Sequence, residues 1–123
     1  MHNGLRILIL EDSAAEAEAI THALSASGSS CDSRRASSNE ELLHTLTHFS
    51  PEVVLCASSL KHLEPKEAFR LVKEFSPPTT AFILLAESDQ AEAAVGWMKT
   101  GADDYVLKNK LSGLSAAVHY AVN

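Results

Sequence analysis

Short strand-like segments alternate with helical segments five times along this chain, and this alternation constrains its fold more than any other feature. Four of the segments are almost wholly apolar, and the second is more polar, as an edge strand would be. The predicted strands are Leu5–Leu10, 30–36, 53–56, Ala81–Ala86 and 105–107. Strict alternation implies right-handed crossovers and a mainly parallel sheet with helices on both faces. We therefore predict one three-layer α/β/α domain over residues 1–123, with no output domain in this chain.

Residues typical of helix ends mark the boundaries of the predicted helices. The expected first residues or caps are Ser13, Ser38 with Glu41 three positions later, Pro65 and Asp89, and the expected ends are Gly28 and Gly101. Helical spacing also predicts which side chains face the core. On the third helix these include Phe75, and on the fourth they are Ala91, Ala94, Val95 and Met98.

Composition excludes several classes of protein. A net charge of −6 argues against binding to a phosphate backbone as the main role, so we expect no direct contact with nucleic acid. The longest apolar run has six residues, far fewer than the ~20 that cross a bilayer, and the sequence shows no signal peptide. Cys31 and Cys56 are predicted to be reduced thiols on different strands. These features favour a cytoplasmic protein that has no membrane contact.

The polar residues that follow the strands are the candidates for a functional site, because ligands of such sheets gather at the carboxyl ends of the strands. Glu11 and Asp12 follow the first predicted strand and Lys108 follows the last. Adjacent carboxylates suit Mg²⁺, and a lysine can hold a phosphoryl group. The alternative for the acidic pair is that it stabilises the start of the next helix, and Lys108 could be paired with it for structural reasons.

Over residues 5–122 the chain resembles the receiver domain of two-component response regulators. The resemblance is carried by residues 7–13 (ILILEDS), 51–55 (PEVVL) and 101–108 (GADDYVLK), the last of these being the most specific. It implies a flavodoxin-like (βα)5 fold with the strand order 2-1-3-4-5. It also implies that Glu11 and Asp12 hold Mg²⁺ while an Asp at position 57 attacks a phosphoryl donor and becomes an aspartyl phosphate.

The chain departs from the family pattern at the positions that perform this chemistry. Ala57 stands where the phosphoacceptor Asp is expected, and a methyl group can neither attack phosphorus nor coordinate a metal. Ala86 replaces the switch Thr or Ser on the fourth strand, and Glu87 follows where a small residue is usual. Lys108 is retained, but Asn109 replaces the proline that usually follows it. Tyr105 matches the aromatic switch residue.

These departures predict a pseudo-receiver, not an enzyme, that acts through phosphorylation-independent contact with another protein. One alternative is phosphorylation at Ser58 or Ser59, and another is an ordinary receiver silenced by an introduced substitution, which would leave Ala86, Glu87 and Asn109 unexplained. A third is a small ligand or a cation in the vacated pocket. We expect no cofactor, and only weak Mg²⁺ binding at Glu11 and Asp12, since two carboxylates remain of three.

The expected partner is a sensor kinase, an output domain, another regulator or a second copy of the chain. The resemblance implies contact through the fourth helix, fifth strand and fifth helix, where Trp97 and Tyr105 lie. For Trp97 the alternative is a side chain that covers the edge of the core. His44 and His48 have a spacing that can ligate a metal, but they fall opposite the apolar face of their helix and are predicted to be solvated.

Overall fold

The five predicted strands form one parallel sheet. A computed structural model describes residues 4–25 and 31–122, with strands β1 (Leu5–Leu10), β2 (Cys31–Ala36), β3 (Val53–Ala57), β4 (Ala81–Ala86) and β5 (Asp104–Leu107). Their order is β2-β1-β3-β4-β5 and every neighbouring pair is parallel, which confirms the predicted fold class. All residues of β3 and β4 are buried, whereas edge strand β2 is mostly exposed, as its polar sequence predicts.

Helices cover both faces of this sheet. They are α1 (Ala14–Ser25), α2 (Asn39–His48), α3 (Pro65–Phe75), α4 (Ala91–Thr100) and α5 (Leu114–Val122), with 3₁₀ turns at Ser88–Gln90 and Lys108–Gly113. Alternate strand residues point to opposite faces, so Ile7 and Ile9 pack with α1 and α5, whereas Leu8 and Leu10 pack with α2 and α3. The two apolar layers fix the sheet, and the sheet brings the strand ends to one edge.

Most of the predicted helix boundaries are confirmed. The Ser13 hydroxyl accepts a hydrogen bond from the Glu16 amide, and the Ser38 hydroxyl accepts one from the Glu41 amide, each at 3.2 Å. Pro65 begins α3, and α4 ends at Gly101 with a φ of 125°, a conformation that favours glycine. The predicted end at Gly28 lies outside the described residues.

The start of α4 differs from the prediction. Asp89 does not cap the helix; it lies within the 3₁₀ turn, and Gln90 is the residue that precedes the first helical position. The reason is that the chain makes one tight turn before the helix, in which the Gln90 amide donates to the Glu87 carbonyl oxygen at 2.9 Å. Asp89, a residue type that often caps helices, therefore indicated the position of the turn and not the start of the helix.

Two predicted core faces were partly wrong. On α4, Ala94 is buried, but Val95 and Met98 are 48% and 37% exposed, because the helix turns Ala94 and Trp97 toward the sheet instead. Trp97 packs against Phe82, and this larger ring takes the space that the smaller side chains were expected to fill. Phe75 is 56% exposed, because it is the last residue of α3 and lies beside the loop residues Pro51 and Pro77.

Candidate functional site at the carboxyl edge of the sheet

Glu11 and Lys108 meet at the carboxyl edge of the sheet, although 97 positions separate them in sequence. Glu11 follows β1, a central strand, and is therefore 2% exposed. The Lys108 ammonium donates to Glu11 Oε2 at 2.8 Å, and the Ser13 amide donates to Oε1 at 3.2 Å. The structure thus brings these two predicted site residues into a buried ion pair.

Two further carboxylates surround the same ammonium group. Lys108 Nζ lies 3.0 Å from Glu16 Oε1 and 3.4 Å from Glu87 Oε2. Burial alone would lower the pKa of Lys108, but its hydrogen bonds to Glu11 and Glu16 raise that pKa above its ordinary value. Lys108 is therefore a permanent cation that is already paired on several sides.

Glu16 is a site residue that the sequence reasoning missed. It lies in the first turn of α1, where an acidic residue is also favoured by the helix dipole, so its type carried no distinct signal. Its position five residues after Glu11 places it above the same edge of the sheet. The predicted lysine at that edge could have indicated Glu16, because a partly buried lysine needs neighbouring anions.

Asp12 contacts the chain that follows β3. Its Oδ2 atom accepts a hydrogen bond from the Lys61 amide at 2.6 Å, whereas its buried Oδ1 atom has no hydrogen-bond partner among the described residues. Asp12 lines a surface pocket of about 780 Å³, together with Glu11, Glu16 and residues 58–65. Asp12 and Glu11 are thus adjacent in sequence but held by different partners.

The ends of β3 and β4 carry no reactive group. Ala57 and Ala86 are fully buried and present only methyl groups. Ser58 follows Ala57, and its hydroxyl donates to Gln90 Oε1 at 2.6 Å. The partner of Ser58 is an amide, which cannot remove a proton, and Ser59 is exposed.

Residues 7–119 of the chain match the profile of the response regulator receiver domain. The chain belongs to this family. Receiver domains are modules of two-component signalling, and they are generally not enzymes. No curated protein matches the chain.

Solved receiver structures share the fold over nearly the full chain. A response regulator receiver domain from Clostridium thermocellum is 28% identical, with a TM-score of 0.81, and the match covers 97% of this chain and 94% of that one. A signal receiver domain from Bermanella marisrubri is 23% identical, with a TM-score of 0.79 and coverages of 96% and 98%. The receiver domain of Francisella response regulator 1452 is 20% identical, with a TM-score of 0.79 and 96% coverage of each chain.

Most carboxylate oxygens of the acidic pair already have partners within the chain. Three of the four carboxylate oxygens of Glu11 and Asp12 already accept hydrogen bonds, one of them from the Lys108 ammonium. The fourth oxygen, Asp12 Oδ1, has no hydrogen-bond partner among the described residues, and Ala57 adds no oxygen. Across residues 4–25 and 31–122, no group of three or more His, Cys, Asp or Glu side chains is arranged to hold a metal ion. The carboxylates at this edge that could hold Mg²⁺ are those of Glu11 and Asp12, and Glu11 is already paired with Lys108.

The two aromatic candidates pack at the edge of the core. Trp97 stacks on Phe82 with ring centroids 5.9 Å apart and meets Phe69 edge to face. Tyr105 and Trp97 both contact the small apolar cluster that contains Leu84. Trp97 is therefore partly buried, and Tyr105 also lines a groove beside α5.

The remaining candidates are two histidines and two cysteines. His44 and His48 are exposed and stack on each other with ring centroids 4.2 Å apart, which agrees with a solvated face. Cys31 and Cys56 are free thiols on β2 and β3, which β1 separates, as predicted. Burial and the nearby Glu11 carboxylate raise the pKa of Cys56.

Within the described residues, no helix has the length and apolar character needed to cross a membrane.

Proposed function

We propose that this receiver domain transmits a two-component signal by contact with another protein, without taking up a phosphoryl group and without enzymatic activity. The observation that carries the proposal is the methyl side chain of Ala57, which is fully buried at the carboxyl end of β3. An aspartyl phosphate needs a carboxylate nucleophile at that place, and an alanine side chain provides no nucleophilic atom. A cytoplasmic location is part of this proposal.

The charges around Lys108 support the same conclusion. A phosphoryl group carries up to two negative charges, and Glu11, Glu16 and Glu87 already surround the Lys108 ammonium group. Like charges at these separations repel an incoming anion, most strongly where water is partly excluded. The lysine is therefore engaged by the chain's own carboxylates instead of being available for a donor.

The test is the intact mass of the protein after incubation with acetyl phosphate and Mg²⁺, beside an ordinary receiver that accepts the phosphoryl group. We expect the control to gain the mass of one phosphoryl group and this protein to gain none. The matched variant is Ala57→Asp, which restores the carboxylate and leaves the rest of the edge unchanged. A gain by the unaltered protein would contradict the proposal, and peptide mapping would then examine Ser58 and Ser59 as acceptors.

We further propose that the surface of α4, β5 and α5 contacts a second copy of this chain, with a kinase, output domain or other regulator as the competing partners. Tyr120 on α5 is 85% exposed and lines a groove along edge strand β5. The same groove contains Asp104 and Lys110, which are opposite charges. A two-fold symmetric interface needs such a self-complementary patch, because both copies use the same surface. A positive residue of one copy can then contact a negative residue of the other, and the reverse contact forms as well.

Sedimentation at rising protein concentration tests this contact. We expect a concentration-dependent dimer that the Tyr120→Glu variant weakens. Phe75→Glu is the matched control, since Phe75 is also an exposed aromatic residue but lies at the end of α3. A monomer at all concentrations, or equal weakening by both variants, would contradict the proposed dimer surface.

A further inference from the structure

We infer that contacts between side chains at the carboxyl edge hold the loop before α4 in one position. The loop therefore needs no bound phosphoryl group to keep that position. This inference deepens the proposed function and rests on it. Four loops meet at this edge, after β1, β3, β4 and β5. Each of them contributes at least one polar contact to another loop.

The first bridge joins β5 to β1 and β4. Lys108 contacts Glu11 at 2.8 Å and Glu87 at 3.4 Å, so one ammonium group holds the ends of two other strands. The lysine side chain is only 12% exposed, and the Glu11 side chain is 3% exposed. A pair this deeply buried is screened far less by solvent than a surface pair. Glu87, which is half-exposed, adds the weaker of the two contacts.

The second bridge joins β3 to α4. The Ser58 hydroxyl donates to the side-chain oxygen of Gln90, which is the residue immediately before α4. The Ser58 amide also donates to the Leu85 carbonyl oxygen at 2.9 Å, which fixes Ser58 relative to β4. The Gln90 side chain makes no capping hydrogen bond to its own helix, and its Oε1 atom accepts the bond from Ser58 instead. The start of α4 is thus tied to the end of β3.

A third bridge joins β1 to the segment that precedes α3. Asp12 Oδ2 accepts the Lys61 amide at 2.6 Å and thereby fixes the chain that runs on from Ser58. Glu87 and Gln90 lie at the two ends of the short turn that leads into α4, and each is bound to a different strand end. The turn therefore has two anchors, and both are contacts between side chains of this chain.

The position of α4 follows from these anchors. The helix contacts the sheet through Ala94 and Trp97, whereas Val95 and Met98 are exposed. A helix with so narrow a buried face is free to shift unless its ends are fixed. The bridges fix its N-terminal end, and Gly101, at φ 125°, ends it at the other. The surface that α4 presents to a partner is therefore set without phosphorylation.

Amide hydrogen exchange and tryptophan fluorescence test the lock in the intact chain. The variants are Ser58→Ala, Gln90→Ala and Glu87→Gln, and the control is Glu18→Gln, which removes an exposed carboxylate on α1. We expect Ser58→Ala and Gln90→Ala to speed the exchange of α4 amides by about fivefold, as loss of one hydrogen bond does to a local opening. Glu87→Gln should give a smaller rise, and Glu18→Gln none.

Trp97 provides the second measurement, because it is the only tryptophan in the sequence and lies on α4. Acrylamide should quench its fluorescence more in Ser58→Ala and Gln90→Ala than in the unaltered protein, while exchange of β3 and β4 amides stays unchanged. Folding failure is not expected, since each change removes one contact at the rim and leaves the core intact. Unchanged exchange and quenching in both variants would overturn the lock.

The test of the lock and the test of the proposed function can fail independently. A protein that takes up no phosphoryl group, yet whose α4 is unaffected by the variants, keeps the proposed function and loses the lock. A protein that gains a phosphoryl group loses the proposed function whatever its exchange pattern. If both inferences hold, acetyl phosphate with Mg²⁺ leaves the α4 exchange of the unaltered protein unchanged.

Discussion

At the residue scale, Lys108 determines the electrostatic character of the edge. Its partner Glu11 is almost wholly buried, and a buried carboxylate is tolerated only when it is paired. We expect Lys108→Met to lower the free energy of unfolding by about 3 kcal/mol, because it leaves this carboxylate without its cation. Urea denaturation at neutral pH measures the change. Glu16→Gln should change stability by less than about 1 kcal/mol, since its carboxylate is half-exposed. Equal losses of stability in the two variants would contradict the larger contribution that we assign to the buried Lys108–Glu11 pair.

Ala57 determines the affinity of the same edge for metal. We expect Mg²⁺ to bind the unaltered protein only in the millimolar range, because most oxygens of Glu11 and Asp12 already have partners. Ala57→Asp should bind Mg²⁺ at least several-fold more tightly, since it adds a third carboxylate beside Asp12. Calorimetric titration measures both affinities, and Ala86→Ser controls for a new polar group that carries no charge. Tight binding by the unaltered protein would refute the first expectation, and an unchanged affinity in Ala57→Asp would refute the second.

At the element scale, α4 is where the packing departs most from what helical spacing indicates. We expect Trp97→Ala to lower the free energy of unfolding by about 2–4 kcal/mol, because it removes a ring that stacks on Phe82 and contacts Phe69. Met98→Ala should change it by no more than about 0.5 kcal/mol, as is usual for an exposed position. Thermal and urea unfolding of the two variants make the comparison. A larger loss for Met98→Ala would mean that the helix faces the sheet with its other side.

The contrast shows what the sequence can predict at this scale. The strands and their order followed from apolar alternation and from the family resemblance, and the strand-end rule brought Glu11 to Lys108. The face of α4 did not follow, because apolar residues occupy more of its surface than a single layer of contacts can cover, and packing decides among them. The bond from Ser58 to Gln90 also did not follow, because it depends on a 3₁₀ turn that local propensity did not indicate.

At the scale of the whole molecule, the fold does not depend on the chemistry that its family performs. Ala57 and Ala86 are fully buried and fit the apolar layers, so the sheet continues without a gap where a reactive side chain is absent. The polar contacts of the edge lie outside those layers, on loops that join them. The architecture of this receiver is therefore kept with methyl groups at positions 57 and 86, and the charges of Lys108 and Glu11 at the edge are paired with each other.

The pH dependence of stability reports on these partners together. Burial raises the pKa of the Cys31 and Cys56 thiols, and hydrogen bonds to carboxylates raise the pKa of Lys108 against its burial. A group whose pKa is higher in the folded state stabilises the fold below its unfolded pKa, and this contribution is lost as the pH rises through the folded value. We therefore expect the free energy of unfolding to be nearly level up to about pH 8 and to fall above about pH 8.5, first through the thiols and then through Lys108. Urea titrations between pH 6 and pH 10 measure the curve, with Cys56→Ala as the variant whose alkaline decline should be shallower. A curve that stays level to pH 10, or an identical decline in Cys56→Ala, would mean that these buried groups do not govern stability in this range.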